Sequence, residues 1–382
     1  MAFNNKNIFQ KIFYREPHKH REPAFRYFFL IRIIPCLFAV NIFFIFYSCL
    51  QAEPARSEFT LGTLCSVNLY EQGNNDVYKE IFDRIREIEN LMSVNIPSSD
   101  ISLINAAAGI APVKVHEETF NVIKNAVYYA RLSDGAFDPS IGPIVSLWGI
   151  GNDEPRHEQL THVPGREEIE KLLPLVNWHF IRLYEDTSSV FFIHEGMALD
   201  LGAIAKGYAA DEAAKIIERA GIKRALIDLG GNIIVAGVKK DRKPWRVGVQ
   251  SPDKARGETI GYLQITTLTA EQEESLPVKT IVTSGTYERF FEENGIRYHH
   301  IFDPSLGYPV QNGIISVTVI ADVSMDADAL STAAFVLGYE RGSALVESIT
   351  GTEAVFVFDD KSIRQTSGAN FILTDKTYNI KY

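Results

Sequence analysis

Two carboxylates and two hydroxyls crowd the head of an otherwise apolar segment, MDADALSTAAFVLG, residues 325 to 338. Asp328 and Thr332 stand four apart, so on a helix they share one face. A carboxylate beside a hydroxyl is a hard-oxygen pair suited to Mg2+. That ion needs few protein ligands when phosphates and waters complete its octahedron. The same residue types also cap helices, and Asp326, which precedes the regular apolar pattern, is the expected cap. From this stretch alone both readings stand.

In DLGAIAKGYAAD, residues 200 to 211, Gly202 and Gly207 flank a short apolar turn at a strand–helix junction, where backbone can approach a ligand closely. Lys206 lies between them, placed to meet a phosphate. The Gly-Lys-Ser/Thr spacing of a Walker loop is not present. Gly230-Gly231 in DLGGNI reads equally as a bulge or as a ligand approach. In YHHIFDPSLGYPV, residues 298 to 310, His299 and His300 precede Asp303 and Pro304. A histidine here reads either as a structural hydrogen-bonder or, ahead of Ile-Phe-Asp-Pro and a glycine turn, as a general base beside a ligand. Upstream, TSGTYERFF offers hydroxyls to the same pocket.

These groups need a scaffold, and the chain is long enough to bury a sizeable core. It has 382 residues, 46% of them hydrophobic, and no repeat or low-complexity tract. Seven Lys/Arg against Glu16 and Glu22 give the first 48 residues +5, which leaves about −15 of the total −10 to the remainder. Nucleic-acid binding by a basic face is therefore not expected. After Arg32 an apolar run of about 16 residues is too short for a membrane span and reads as a secretory h-region ending in FYSC. That reading divides the chain into a signal peptide (1–48), a lipidated Cys49 with a linker (49–57) and one folded domain (58–382). An uncleaved N-terminal anchor is the competing reading; either one tethers the domain to a membrane outside the cytoplasm. Cys65, alone in the domain, is expected to be a small strand residue.

Helical periodicity marks DVYKEIFDRIREIENLMSV and EETFNVIKNAVYYARLSDG, and a charged helix is expected near 165–174. FTLGTLCSVNLY alternates like a strand. The Gly- and Pro-dense GAFDPSIGPIVSLWGIG is expected to be irregular yet buried. Later strands mixed with few helices, without βαβ alternation, predict an α+β fold.

In order and spacing, SDGAFDPSIGPIVSLWG, MALDLGAIAKGYAAD, IDLGGNI, PWRVGVQSP, TSGTYERFF, HIFDPSLGYPV and MDADALSTAAFVLG together resemble the ApbE family of flavin transferases, from about Leu61 to the C-terminus. The resemblance implies an ApbE-like α+β fold, with mixed or antiparallel sheets, flanking helices and a cleft for FAD and Mg2+. It implies transfer of FMN from FAD to a threonine of a partner redox subunit with release of AMP, and in some members hydrolysis of FAD to FMN and AMP. The site residues it implies are Asp328, Thr332 and the Ala203 backbone oxygen for the metal. For the flavin they are Leu61, Asn95, Ala136, Phe137, Asp138, Asp200, Lys206 and Phe302. His300 is the implied activator of the acceptor hydroxyl, and Asp328 is the implied catalytic carboxylate. Family members are typically periplasmic lipoproteins, here anchored to the inner membrane through Cys49. Two departures stand out. Lys206 occupies a place where many members have an acid, and Asn95 one where many have an aromatic residue, which favours turnover over tight FAD storage. The rival readings are a non-catalytic FAD-storage lipoprotein and a general cation-dependent nucleotide hydrolase.

Overall fold

The computed structural model describes residues 55–70, 75–150, 163–267 and 276–381; the expected signal peptide and Cys49 lie outside them. The chain opens with β1 (Arg56–Thr60), β2 (Thr63–Leu69), α1 (Asn75–Met92), α2 (Asp100–Ala106), β3 (Val113–Lys114), α3 (Glu117–Leu132) and α4 (Gly142–Trp148). It continues through α5 (Arg166–Leu172), β4 (Ile181–Tyr184), β5 (Ser189–Phe192), α6 (Ala205–Arg219), β6 (Ala225–Leu229) and β7 (Asn232–Ala236). Next come β8 (Trp245–Gln250), β9 (Thr259–Ile265), β10 (Val278–Gly285), β11 (Phe290–Glu293), β12 (Ile296–His299), β13 (Phe302–Asp303), β14 (Tyr308–Pro309) and β15 (Ile314–Ala321). The last elements are α7 (Ser324–Glu347), β16 (Glu353–Phe358), β17 (Ser362–Gln365), β18 (Phe371–Leu373) and β19 (Asn379–Ile380). The segment expected as linker through residue 57 is already strand from Arg56.

Nine strands form the central sheet in the order β1-β2-β6-β7-β10-β15-β16-β17-β19, and only the β17–β19 pair is parallel. This is the expected α+β class. Period-two alternation buries both faces. In β7, Ile234 and Ala236 join the cluster under α1, α6 and α7, whereas Val235 joins the cluster under the β18-β9-β8 sheet. Asn232 stands on the same row as Ile234 and Ala236, at the end of the strand.

FTLGTLCSVNLY is a hairpin rather than one strand. Leu61 and Gly62 form its two-residue turn with φ of 54° and 65°, the backbone of a primed turn in which Asn-Gly is the usual pair. GAFDPSIGPIVSLWGIG is not irregular throughout either. Its middle is α4, because Pro143 is compatible with a first helical turn and Gly149 ends the helix at φ 62°. That helix delivers Trp148 into a third cluster, against Phe291, Tyr298, Phe302 and Tyr308 at ring-centroid distances of 5.6–6.3 Å.

The contact between α6 and α7 admits no side chain at Gly207. A Cβ there would lie 2.3 Å from the Ser324 carbonyl oxygen and 2.6 Å from the Met325 Cα. The close approach expected of Gly207 is thus to the start of α7 and not to a ligand. Both obstacles are backbone, so Gly207→Ala must push the helices apart. The expected cost is about 1–3 kcal/mol, typical of overpacking, read as a lower melting temperature in thermal denaturation followed by circular dichroism. An unchanged melting temperature would show that the two helices can slide at no cost.

Candidate functional site

The first N–H groups of a helix lack intrahelical partners and carry partial positive charge. At the start of α7 the N–H groups of Ser324 and Met325 donate to the carboxylate of Asp211, at 2.8 and 2.9 Å. Asp211 is the last residue of DLGAIAKGYAAD and sits on α6. In return, the Gly207 N–H in the first turn of α6 donates to Asp328 Oδ2 at 2.9 Å. Each helix caps the other. The expectation that Asp326 caps α7 is therefore corrected: the cap comes from Asp211, and Asp326 pairs with the Tyr129 hydroxyl instead. Burial lifts the Asp211 carboxyl to about 6, against the two N–H groups that favour its charge.

Asp328 is 3% exposed, and burial raises its pKa despite the opposing effects of Lys206 and the Gly207 N–H. The Lys206 ammonium donates to the Gly202 carbonyl at 2.6 Å, which fixes its charge beside Asp328. A buried carboxylate without a paired cation is costly, and a divalent ion relieves that cost. Around it are further hard oxygens. Thr332 Oγ1 lies 3.2 Å from Ser284 Oγ, which also meets Ser331 Oγ at 2.8 Å. The Gly207 N–H, four residues after Ala203, goes to Asp328, which leaves the Ala203 carbonyl outside the α6 ladder. Among the described residues no three His, Cys, Asp or Glu gather as a metal cluster. The donor set of one carboxylate, one hydroxyl and one carbonyl, with substrate oxygens to complete it, fits Mg2+ and not a soft metal.

The paired histidines divide their roles. His299 is 2% exposed and both ring nitrogens are used: Nε2 contacts the Val310 carbonyl at 2.9 Å and Nδ1 accepts from the Ile301 N–H at 3.2 Å. His300 Nδ1 faces the Arg289 carbonyl at 3.2 Å. A carbonyl only accepts, so Nδ1 carries the proton and the Nε2 lone pair is left for other work. Burial, followed by the Arg289 charge, lowers the His300 pKa to about 3, so the ring is neutral at physiological pH.

Arg289 also donates to the Gly62 carbonyl at 3.1 Å, which joins His300 to the Leu61–Gly62 turn. Glu89 on α1 holds that turn by accepting from the Leu61 N–H at 2.8 Å and the Thr60 hydroxyl at 2.6 Å. Gly230 and Gly231 are the two-residue turn of the β6–β7 hairpin, both at positive φ, and not a bulge. A Cβ on Gly230 would lie 2.3 Å from Thr63 Oγ1, so the two hairpin turns abut. Cys65 is buried in β2, as expected, and its thiol is pushed up to about 12, first by burial.

The structure thus gathers Leu61, Lys206, Asp328, Thr332 and His300, with Lys206 acting electrostatically on both Asp328 and His300. A second group lies beside them. Both Asp138 oxygens are engaged, by Ser140 at 2.6 and 2.8 Å and by the Trp178 N–H at 3.0 Å, so Asp138 shapes its loop. That loop abuts the segment carrying Asp200, whose N–H donates to the Pro139 carbonyl at 2.9 Å, while Asp200 Oδ1 accepts from the Gly202 N–H at 2.7 Å. Ala136 and Phe137 turn the chain after α3 on Ser133, whose Oγ accepts from the Phe137 N–H at 3.0 Å. Phe302 packs on Trp148, and Asn95 is exposed in the turn between α1 and α2. Sequence reasoning missed Asp211, Glu89, Ser284 and Arg289; only Ser284 carried a signal, as a hydroxyl in TSGTYERFF. None of these site residues lines the groove of about 410 Å3 along α1 and α6, whose charged side chains, Arg84 and Glu212 among them, pair with one another.

The model of the ApbE family matches residues 61–356. A Treponema pallidum protein named FAD:protein FMN transferase is 36% identical over 333 residues, covering 83% of this chain and 87% of its own length. A protein of the same name from Klebsiella pneumoniae is 37% identical over 307 residues, covering 80% and 90%. Among solved structures, the ApbE protein of Thermotoga maritima aligns with a TM-score of 0.71 at 33% identity, over 82% of this chain and 97% of that one. The flavin transferase ApbE of Vibrio cholerae aligns with a TM-score of 0.66 at 26% identity, over 86% and 99%. With the match spanning both hairpin turns, α6 and the head of α7, the chain belongs to the ApbE family.

Proposed function

We propose that this chain is a Mg2+-dependent FAD:protein FMN transferase that moves FMN from FAD to a threonine of a partner redox protein and releases AMP. One observation carries this reading: Asp328, a buried carboxylate without an ion pair among the described residues, and His300, a neutral imidazole, both lie within the field of Lys206. The names of the relatives support it. Asp328, Thr332 and the Ala203 carbonyl are the residues that would hold Mg2+, and when bound the ion neutralises charge on the pyrophosphate. Lys206 contributes a fixed positive charge to the same phosphates. His300 Nε2 takes the proton of the acceptor hydroxyl, whose oxygen attacks the FMN phosphorus. The bond from that phosphorus to the bridging oxygen breaks, and AMP leaves with the electron pair. Where water replaces the threonine, the same groups hydrolyse FAD to FMN and AMP, and the small, exposed Asn95 favours such turnover over storage. A storage protein, by contrast, has no use for a neutral base at this position. We place the enzyme in the periplasm, held at the inner membrane by a lipid on Cys49; globomycin sensitivity of its processing, or radiolabelled palmitate incorporation lost in Cys49→Ala, tests that anchor.

Asp328→Ala should lower Mg2+-dependent AMP release from FAD by at least about 100-fold, measured by chromatography of the nucleotides. Undiminished release would remove Asp328 from the metal site. The variant also uncaps the Gly207 N–H, so its melting temperature must be recorded alongside.

His300 gives a second test. Replacing a general base costs roughly 100- to 10,000-fold, so His300→Gln should slow FMN transfer to a protein acceptor by that order. With its pKa near 3, the wild-type ring is already a base at pH 5, so it contributes no acid limb to the rate between pH 5 and 8. Stability has a definite sign. The unfolded histidine binds its proton near 6.5 and the folded one only near 3, so the unfolded state binds more protons between these values. The contribution of His300 is full above 6.5 and is lost as pH falls towards 3. Urea unfolding of His300→Gln should therefore show a smaller loss of stability from pH 7 to 5 than wild type; an equal loss would place the wild-type pKa near its ordinary value.

A further inference from the structure

Asn232 sits at the tip of the β6–β7 hairpin, where the alternation of β7 calls for an apolar residue beside Ile234 and Ala236. It is 1% exposed, and among the described residues neither its amide oxygen nor its amide nitrogen has a hydrogen-bond partner of good geometry. It lies beside the Asp328 carboxylate, close enough for its hydrogen-bonding pull to favour the charged form, although no bond of good geometry is completed. A buried amide whose atoms lack well-made hydrogen bonds destabilises the folded chain through its unrepaid desolvation. An aliphatic residue in this row would carry no such cost. Such groups in a folded protein call for an explanation, and a ligand is one.

The surroundings define which ligand. Asp328 Oδ2 is taken by the Gly207 N–H, so the other carboxylate oxygen is the one open to further partners. The Asn232 amide can donate through nitrogen to a carboxylate and accept through oxygen from water. Those are the two needs of a group standing behind a hydrated divalent cation, where outer partners orient a ligating carboxylate and receive hydrogen bonds from metal-bound water. We propose that Asn232 is a positioning residue of the divalent-cation site, its amide nitrogen steadying Asp328 and its amide oxygen accepting from a water of the ion. This inference rests on the assignment of Asp328 as a metal ligand. It adds a residue that the family resemblance did not supply, and it accounts for the polar residue in an apolar row.

The test separates affinity from folding. The full chain is titrated with Mn2+ in the presence of ADP, whose pyrophosphate carries no FMN, and binding is read by water-proton relaxation; melting temperatures are measured without metal. Asn232→Leu should weaken Mn2+ binding 10- to 100-fold, the usual cost of losing such a partner, while the metal-free melting temperature stays level or rises. A purely structural amide would give the reverse pattern. Asn232→Ser, which keeps a small polar side chain, should show the same loss of affinity and decides the matter if Asn232→Leu does not fold. Wild-type affinity in the deciding variant overturns the proposal, as does a lowered melting temperature in both variants with affinity unchanged. Asp328→Asn distinguishes the two levels. If it loses Mn2+ while Asn232→Leu keeps it, the metal site stands and the role of Asn232 falls. If Asp328→Asn binds as tightly as wild type, both fall.

Discussion

The mutual capping of α6 and α7 is the constraint on which the site depends. Two helices meet at their N-terminal turns, Gly207 against Ser324 and Met325, and each offers a carboxylate to the exposed N–H groups of the other. Charge-assisted hydrogen bonds of this kind are stronger than neutral ones and have a definite direction. Asp211 therefore fixes where α7 begins, and with it the heights of Asp328 and Thr332 above the sheet. Asp328 fixes where α6 begins, and with it Lys206 in the first turn and the loop that carries Ala203. A shift in either helix moves both halves of the donor set together.

The same arrangement gathers positive potential inside an acidic chain. The formal charge is −10, yet the helix N-termini, the Lys206 ammonium and the Arg289 guanidinium all converge near His300 and Asp328. Low dielectric strengthens each of these at short range, so a local positive field is compatible with a negative surface. It adds to burial in depressing the histidine pKa and suits an anionic pyrophosphate. The strained Leu61–Gly62 turn belongs to the same device: a leucine at positive φ is held there by Glu89, and Arg289 anchors the next carbonyl. Backbone strain of this sort collects at binding sites because the surroundings over-determine it.

Much of this was legible. Helical spacing found α1 and α3, alternation found most strands, and the run of Asp328 and Thr332 in register announced a hard-oxygen pair. What stayed hidden was every interaction whose partner lies far along the chain. Asp211 caps a helix 113 residues away, so the local pattern at the head of α7 favoured Asp326, the nearer acid. Glu89 reads as one more polar position on an amphipathic helix, and nothing local shows that it faces a hairpin turn. The leucine in that turn contradicts ordinary turn chemistry, which is why the segment read as one continuous strand. In GAFDPSIGPIVSLWGIG the density of glycine and proline masked a short helix, because proline is tolerated in the first turn. His299 and His300 have nearly the same sequence context, and only their partners, Val310 and Arg289, separate a structural ring from a chemical one.

Capping and metal binding by Asp328 looked like alternatives in the sequence, and the geometry removes the choice. A carboxylate has two oxygens. One accepts the Gly207 N–H of a neighbouring helix, which holds the group against rotation and opposes the upward push of burial on its pKa. The other remains for a cation. Were Asp328 to cap its own helix, its side chain would turn back along α7 and away from Ala203. Assigning the cap of α7 to Asp211 is what releases Asp328 to face α6, where the carbonyl that α6 does not use is waiting. The division of labour between two aspartates on two helices thus precedes the chemistry: one closes the helix end, and the other can then serve both as a cap across the interface and as a metal ligand.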